Sequence, residues 1–77
     1  MRRIAYVIFS LPRGTPVEVE REKQSVRQIL QQVGIRRFRE APMGFDFKID
    51  ADSPEFEAWL HAFQGKPDIT PHIAIRR

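Results

Sequence analysis

The sequence predicts an α+β fold in which four strands form one antiparallel sheet and two helices cover a single face of it. Four short segments have the β-branched and aromatic composition or the two-residue alternation of strands, and two longer segments repeat apolar residues at the helical period. Prolines and glycines lie between these segments, where they interrupt regular structure. A chain of 77 residues, 42% of them apolar, is expected to form one domain, residues 1–77, around a single core.

The first strand and the first helix have the clearest local signals. Residues 3–11 are β-branched and aromatic with little polar interruption, which is typical of a strand buried on both faces. Thr15 and Glu18 have the spacing of a capping box, and the proline after the threonine suits the first helical position. Because Gly34 has the place of a C-terminal glycine, the helix is predicted over Pro16–Val33.

Two further strands are predicted in the middle of the chain. Residues 35–41 are expected to form the second strand, with Phe38 contributing to the core, and residues 42–44 to form a turn. Residues 45–50 have the cleanest alternation in the chain, which predicts a half-buried strand with a charged outer face. Along this strand the apolar residues Phe45, Phe47 and Ile49 alternate with the charged residues Asp46, Lys48 and Asp50.

The last third of the chain is predicted to form a helix and an edge strand. Ser53 is the expected N-cap, Pro54 the first helical residue, and Gly65 the residue that closes the helix. Residues 69–76 are predicted as the fourth strand. Pro71 inside that strand has no N–H for a ladder hydrogen bond, which favours a place at the edge of the sheet.

The order strand, helix, strand, strand, helix, strand predicts a ferredoxin-like β-α-β-β-α-β sandwich. Two right-handed strand–helix–strand units interleave into one antiparallel sheet, with the spatial strand order 4-1-3-2. This order places the apolar first strand in the centre and the proline-containing fourth strand at an edge. The topology and the local signals therefore agree.

The predicted topology collects positive charge at one end of the sheet and on its outer face. Lysine and arginine number 13 against 10 aspartates and glutamates, which gives a formal charge of +3. The residues expected at the end shared by the first, second and fourth strands are Arg2, Arg3, Arg36, Arg37, Arg76 and Arg77. The alternation of side chains along the strands places five basic or titratable residues on the outer face, two of which also belong to the arginine-rich end. They are Arg37, Arg39, Lys48, His72 and Arg76.

The first strand must also present one set of apolar side chains on that outer face. We expect this set to be Ile4, Tyr6 and Ile8, because the tyrosine hydroxyl then reaches water. The alternate residues would pack inward. Together with His72 on the neighbouring strand, the three outward side chains form a candidate interface.

These surfaces indicate two classes of function. In the first, the protein is a small basic module that contacts nucleic-acid phosphates through the arginine-rich end and face, since guanidinium groups bind phosphate in a bidentate manner. In the second, it is a protein-interaction module (a homodimer, or an adaptor or inhibitor of a larger assembly) that uses the open face or an edge strand. The arginines also have a purely structural explanation, because charges at sheet edges prevent edge-to-edge association.

No enzymatic activity, cofactor or metal is expected. The chain has no cysteine, which excludes disulfides and thiolate metal ligands within it. His61 and His72 are predicted on different sides of the sheet, and no nucleophile, phosphate-loop or calcium-loop motif occurs. No segment has the ~20 apolar residues of a membrane-spanning helix, so we expect a cytoplasmic protein that does not interact with membranes.

Overall fold

The computed structural model describes residues 2–66 and 68–77 and contains one four-stranded antiparallel sheet and two helices. With the strands numbered along the chain, the spatial order in the sheet is 2-3-1-4, which is the predicted order read from the opposite edge. The α+β class and the sheet order are therefore confirmed. The elements are β1 (Ile4–Ser10), α1 (Pro16–Val33), β2 (Arg39–Ala41), β3 (Gly44–Asp50), α2 (Pro54–Phe63) and β4 (His72–Arg76).

The predicted bounds of α1 are confirmed at both ends. The Thr15 hydroxyl oxygen accepts a hydrogen bond from the Glu18 N–H at 3.2 Å, and the Thr15 N–H donates to the Glu18 carboxylate at 3.1 Å. The Thr15 N–H and, to a lesser extent, the Thr15 side chain stabilise the charged carboxylate and lower the pKa of Glu18. Gly34 has a φ of 89°, a left-handed conformation that glycine adopts without steric cost. The next N–H, from Ile35, donates to the Leu30 carbonyl at 2.8 Å and completes the helix end.

The second strand is shorter than predicted, because only Arg39–Ala41 pair with β3. Ile35 is buried and Phe38 packs against the core, with its ring 5.8 Å from that of Phe45. Residues three apart lie on opposite faces of a regular strand. Since both of these side chains point inward, the segment 35–38 cannot continue the ladder.

Two boundaries in the last third also differ from the prediction. α2 ends at Phe63 with Gln64 as its C-cap in a right-handed conformation, so Gly65 lies in the following turn and does not close the helix. The fourth strand begins at His72, three residues later than predicted. Pro71 precedes the strand, and the N–H of Ile69 is already used in a turn with the Lys66 carbonyl at 3.2 Å.

The core lies between the sheet and both helices. Trp59 of α2 lies at the centre of this core and is 0% exposed. The centroid of its ring is 4.7 Å from that of Phe63, 5.2 Å from that of Phe47 and 6.1 Å from that of Phe9. Buried side chains of α1 join the same cluster. Both helices therefore cover one face of the sheet, and the other face is left open.

Candidate nucleic-acid interface

The open face of the sheet is organised by β1, and the predicted frame of that strand is confirmed. Tyr6 and Ile8 are 46% and 56% exposed, and Ile4 is half-buried. The alternate residues are buried and belong to the core; they are Ala5, Val7 and Phe9. An apolar strip with an aromatic ring at its middle therefore runs along the centre of this face.

Polar partners flank this strip on both sides, because residues directly opposite in an antiparallel ladder share a face. The tyrosine lies between a lysine and a small residue, whereas each isoleucine lies between an acidic residue and a basic or titratable one. The three cross-strand rows, from β3 through β1 to β4, are Lys48–Tyr6–Ala74, Asp46–Ile8–His72 and Asp50–Ile4–Arg76. The predicted outward positions of Lys48, His72 and Arg76 follow from this register.

A groove of about 1090 Å³ lies over this face. Tyr6 and Ile8 contribute to its floor, and residues 36–39, which lead into β2, form a wall. The wall exists because the inward packing of Ile35 and Phe38 leaves the intervening Arg36 and Arg37 at the surface.

Three of the predicted phosphate-binding arginines are engaged by carboxylates. The guanidinium of Arg3 donates to Asp52 at 2.6 Å, which lowers the pKa of Asp52 and raises that of the arginine. Arg39 on β2 donates to Asp46, its cross-strand partner, at 2.9 Å. The third pair joins Arg2 and Asp50 at 3.9 Å. A phosphate would have to compete with these carboxylates.

The other five predicted cations have no carboxylate within 4.0 Å among the residues that the structure describes; they are Arg36, Arg37, Lys48, Arg76 and Arg77. The first three line the groove together with Tyr6 and His72. Arg76 and Arg77 follow the end of the fourth strand instead. Three of these five predicted cations therefore line one groove on the open face.

The predicted gathering of arginines at one sheet end describes only part of this distribution. Arg3 and Arg76 lie at that end, since the Arg3 carbonyl accepts from the Ala51 N–H at 2.9 Å and Arg76 pairs with Ile4. Arg36 and Arg37, which precede β2, line the groove. The signal for this placement is the spacing of three between the apolar residues around them, which excludes a regular strand.

Sequence reasoning also did not identify an exposed apolar pair on the helix side of β4. Ile73 and Ile75 are 38% and 49% exposed, although they face the same side as the core. Their partners Val7 and Ala5 on β1 are buried. Sequence alone predicts their face but not where the helical layer ends.

Within residues 2–66 and 68–77, no three histidine, aspartate or glutamate side chains are arranged to hold a metal ion. In the same residues, neither helix combines the length and the apolar character needed to cross a membrane. His61 and His72 are both exposed, one on α2 and one on the open sheet face.

The chain gives no significant match to any protein-family model, any curated protein or any solved structure. The function of the groove must therefore be inferred from its own geometry and charge.

Proposed function

We propose that this protein is a small, non-catalytic module of ferredoxin-like topology that binds nucleic-acid phosphates through the cations around the groove. The element order and the sheet order β2-β3-β1-β4 support the assignment of topology. One observation carries the functional proposal: Arg36, Arg37 and Lys48 lack carboxylate partners among the described residues and line the same groove as the exposed ring of Tyr6.

The chemistry of these groups suits a polyanion that also carries flat apolar rings. Guanidinium groups bind phosphate in a bidentate manner, whereas the ammonium of Lys48 acts as a point charge. The face of Tyr6 offers a surface on which a base can stack. Cations that already pair with a carboxylate contribute less to phosphate binding. We therefore expect Arg2, Arg3 and Arg39 to contribute less affinity than the three groove cations.

The salt dependence of binding tests this proposal most directly. Phosphate contacts release counterions, so affinity for a fluorescently labelled single strand should fall steeply between about 50 and about 200 mM salt. The log–log slope decreases by ~0.7 for each lost contact on a single strand, so R36A/R37A should reduce it by about 1.4. Fluorescence anisotropy with both DNA and RNA oligonucleotides measures affinity and slope together.

A matched control removes the same charge elsewhere. Arg13 and Arg21 are exposed and, like the groove arginines, have no ion pair among the described residues. R13A/R21A should keep the slope of the original protein. An equal loss in the two double variants would mean that net charge, and not the groove, causes binding. The absence of any binding at about 50 mM salt would refute the proposal altogether.

A second candidate function is a protein interface on the same open face. It is favoured by Ile8, a large apolar side chain that is 56% exposed at the end of the apolar strip. Such an interface should depend little on salt, because apolar burial contributes more of its free energy. I8R should then abolish a defined oligomer or complex while the monomer stays folded, as measured by sedimentation velocity. A complex that survives this substitution would exclude the open-face version.

A further inference from the structure

The β4 edge of the sheet has an uncovered apolar side. Ile73 and Ile75 point toward the helical layer, in register with Val7 and Ala5 of β1. Those partners are buried, yet the two isoleucines are 38% and 49% exposed. The helices therefore cover the central strand but stop short of the edge strand.

The same strand also has unused hydrogen-bonding groups and unpaired charge. Within the described residues, β4 pairs only with β1, so its outer row of N–H and C=O groups is free to join another strand. Its open-face side chains include His72 and Arg76, and Arg77 follows directly. None of the three has a carboxylate partner among the residues described.

A second copy of the chain matches only half of these features. Antiparallel pairing centred on Ala74 would set Ile73 against Ile75 of the other copy. It would also set Arg76 of each copy against His72 of the other, so the guanidinium would meet an imidazole and not a carboxylate. A five-residue strand is about 17 Å long, too short by itself for the ~800 Å² per partner of a stable interface.

We propose that the free edge of β4 binds an extended segment of another protein whose residues alternate between acidic and apolar. The segment would add a fifth strand, with β-branched side chains against Ile73 and Ile75 and carboxylates against His72 and Arg76. Main-chain hydrogen bonds would supply affinity, and these alternate side chains would supply specificity. The isoleucine side chains of this site lie on the side of the strand opposite the open face, whereas His72 also lines the groove.

A synthetic peptide provides the test. The probe contains Glu-Val-Thr-Val-Glu between short Gly-Ser ends, with blocked termini, and is added to the isotopically labelled full chain. Shifts in the amide NMR spectrum should concentrate in β4 and neighbouring β1, and exchange of the β4 amides should slow. A peptide with lysines in place of the glutamates, or with alternate amides N-methylated, should bind at least ten-fold more weakly.

Protein variants separate the edge from general electrostatics. R76E should weaken binding of the acidic peptide at least ten-fold, whereas R21E, which makes the same charge reversal on the surface of α1, should change affinity less than two-fold. The amide spectrum of each variant verifies that it is folded. Absence of β4 shifts at millimolar peptide would overturn the proposal. A concentration-dependent dimer that R76E strengthens would also overturn it, in favour of a second copy.

Discussion

Tyr6 of β1 lies directly opposite Lys48 of β3 on the open face of the sheet. The β-carbons of such a pair are about 4.5–5.5 Å apart, so the aromatic ring and the ammonium group can meet one ligand together. On the other side of the tyrosine stands Ala74, whose small side chain leaves the ring accessible. A base and its adjacent phosphate would find complementary groups within one row of the sheet.

The first prediction concerns this ring. Y6A should weaken binding of a single-stranded oligonucleotide by about 1–3 kcal/mol, because base–aromatic stacking is lost, whereas Y6F should bind like the original protein. The affinity for a duplex of the same length should change little, since its bases are already stacked. Anisotropy titrations of both variants measure the difference. Equal affinities of Y6A and Y6F for the single strand would show that the ring is not used.

A second prediction concerns the packing of α1. Leu30 is fully buried, so L30A should lower the free energy of unfolding by about 2–5 kcal/mol through lost apolar burial and the remaining cavity. Val17 on the same helix is 61% exposed, and V17A should change stability by no more than about 0.5 kcal/mol. Urea denaturation followed by Trp59 fluorescence compares them. Similar losses in both variants would contradict the described core.

The third prediction uses two glycines with different surroundings. A β-carbon at Gly44 would fall on the backbone carbonyl oxygen of Phe9 in the adjacent strand, which cannot move without disturbing the ladder. G44A should therefore destabilise the protein by about 1–3 kcal/mol or more. At Gly65 the nearest atom, the Ala62 carbonyl oxygen, is 3.7 Å from such a β-carbon. G65A should leave the thermal midpoint unchanged or raise it, since it restricts the unfolded chain.

A fourth prediction concerns acid stability. The Arg27 guanidinium donates hydrogen bonds to Glu40 and lowers the pKa of that carboxyl, with Lys23 adding a weaker attraction. A carboxylate whose pKa is lower in the folded state stabilises the folded protein at pH values above the unfolded-state pKa of 4.5. This contribution to stability is lost as the pH falls through the folded-state pKa. E40Q should therefore reduce the loss of stability on acidification below about pH 4.5.

Denaturation profiles at neutral pH and at successive acidic values measure this contribution. D68N provides the control, because Asp68 is exposed and has no ion pair among the described residues. It should keep the steeper profile of the original protein. If E40Q loses stability on acidification as steeply as the control, the ion pair does not form in solution.

Local signals were sufficient to predict much of the fold. Thr15, Glu18 and Gly34 define both ends of α1, because each acts through hydrogen bonds or backbone conformation within one or two turns. The orientation of β1 followed from one polar atom, the hydroxyl of Tyr6, which requires water or a partner. These features depend on neighbours close in sequence or on solvent, so they are readable without a structure.

The errors arose where distant packing overrides local preference. Ile35 and Phe38 both enter the core, which a strand pattern over residues 35–41 does not anticipate. Gly65 was predicted to close the second helix because glycine is common at helix ends. The helix ends at Phe63 instead, with Gln64 as its C-cap in a right-handed conformation that does not require glycine. Charge was the least predictable property, since only the register shows that Arg39 meets Asp46 while Lys48 stays unpaired among the described residues.

The position of β1 has a consequence for how the protein forms. Every strand partner of β1 comes from β3 or β4, and Ile4 pairs with both Asp50 and Arg76, far along the chain. A chain emerging from a ribosome would thus present its most apolar strand long before either neighbour has been synthesised. Folding of a sheet with such distant pairings is slow relative to that of helical proteins of the same size. The nascent chain should accordingly need protection of β1 until β4 has left the exit tunnel.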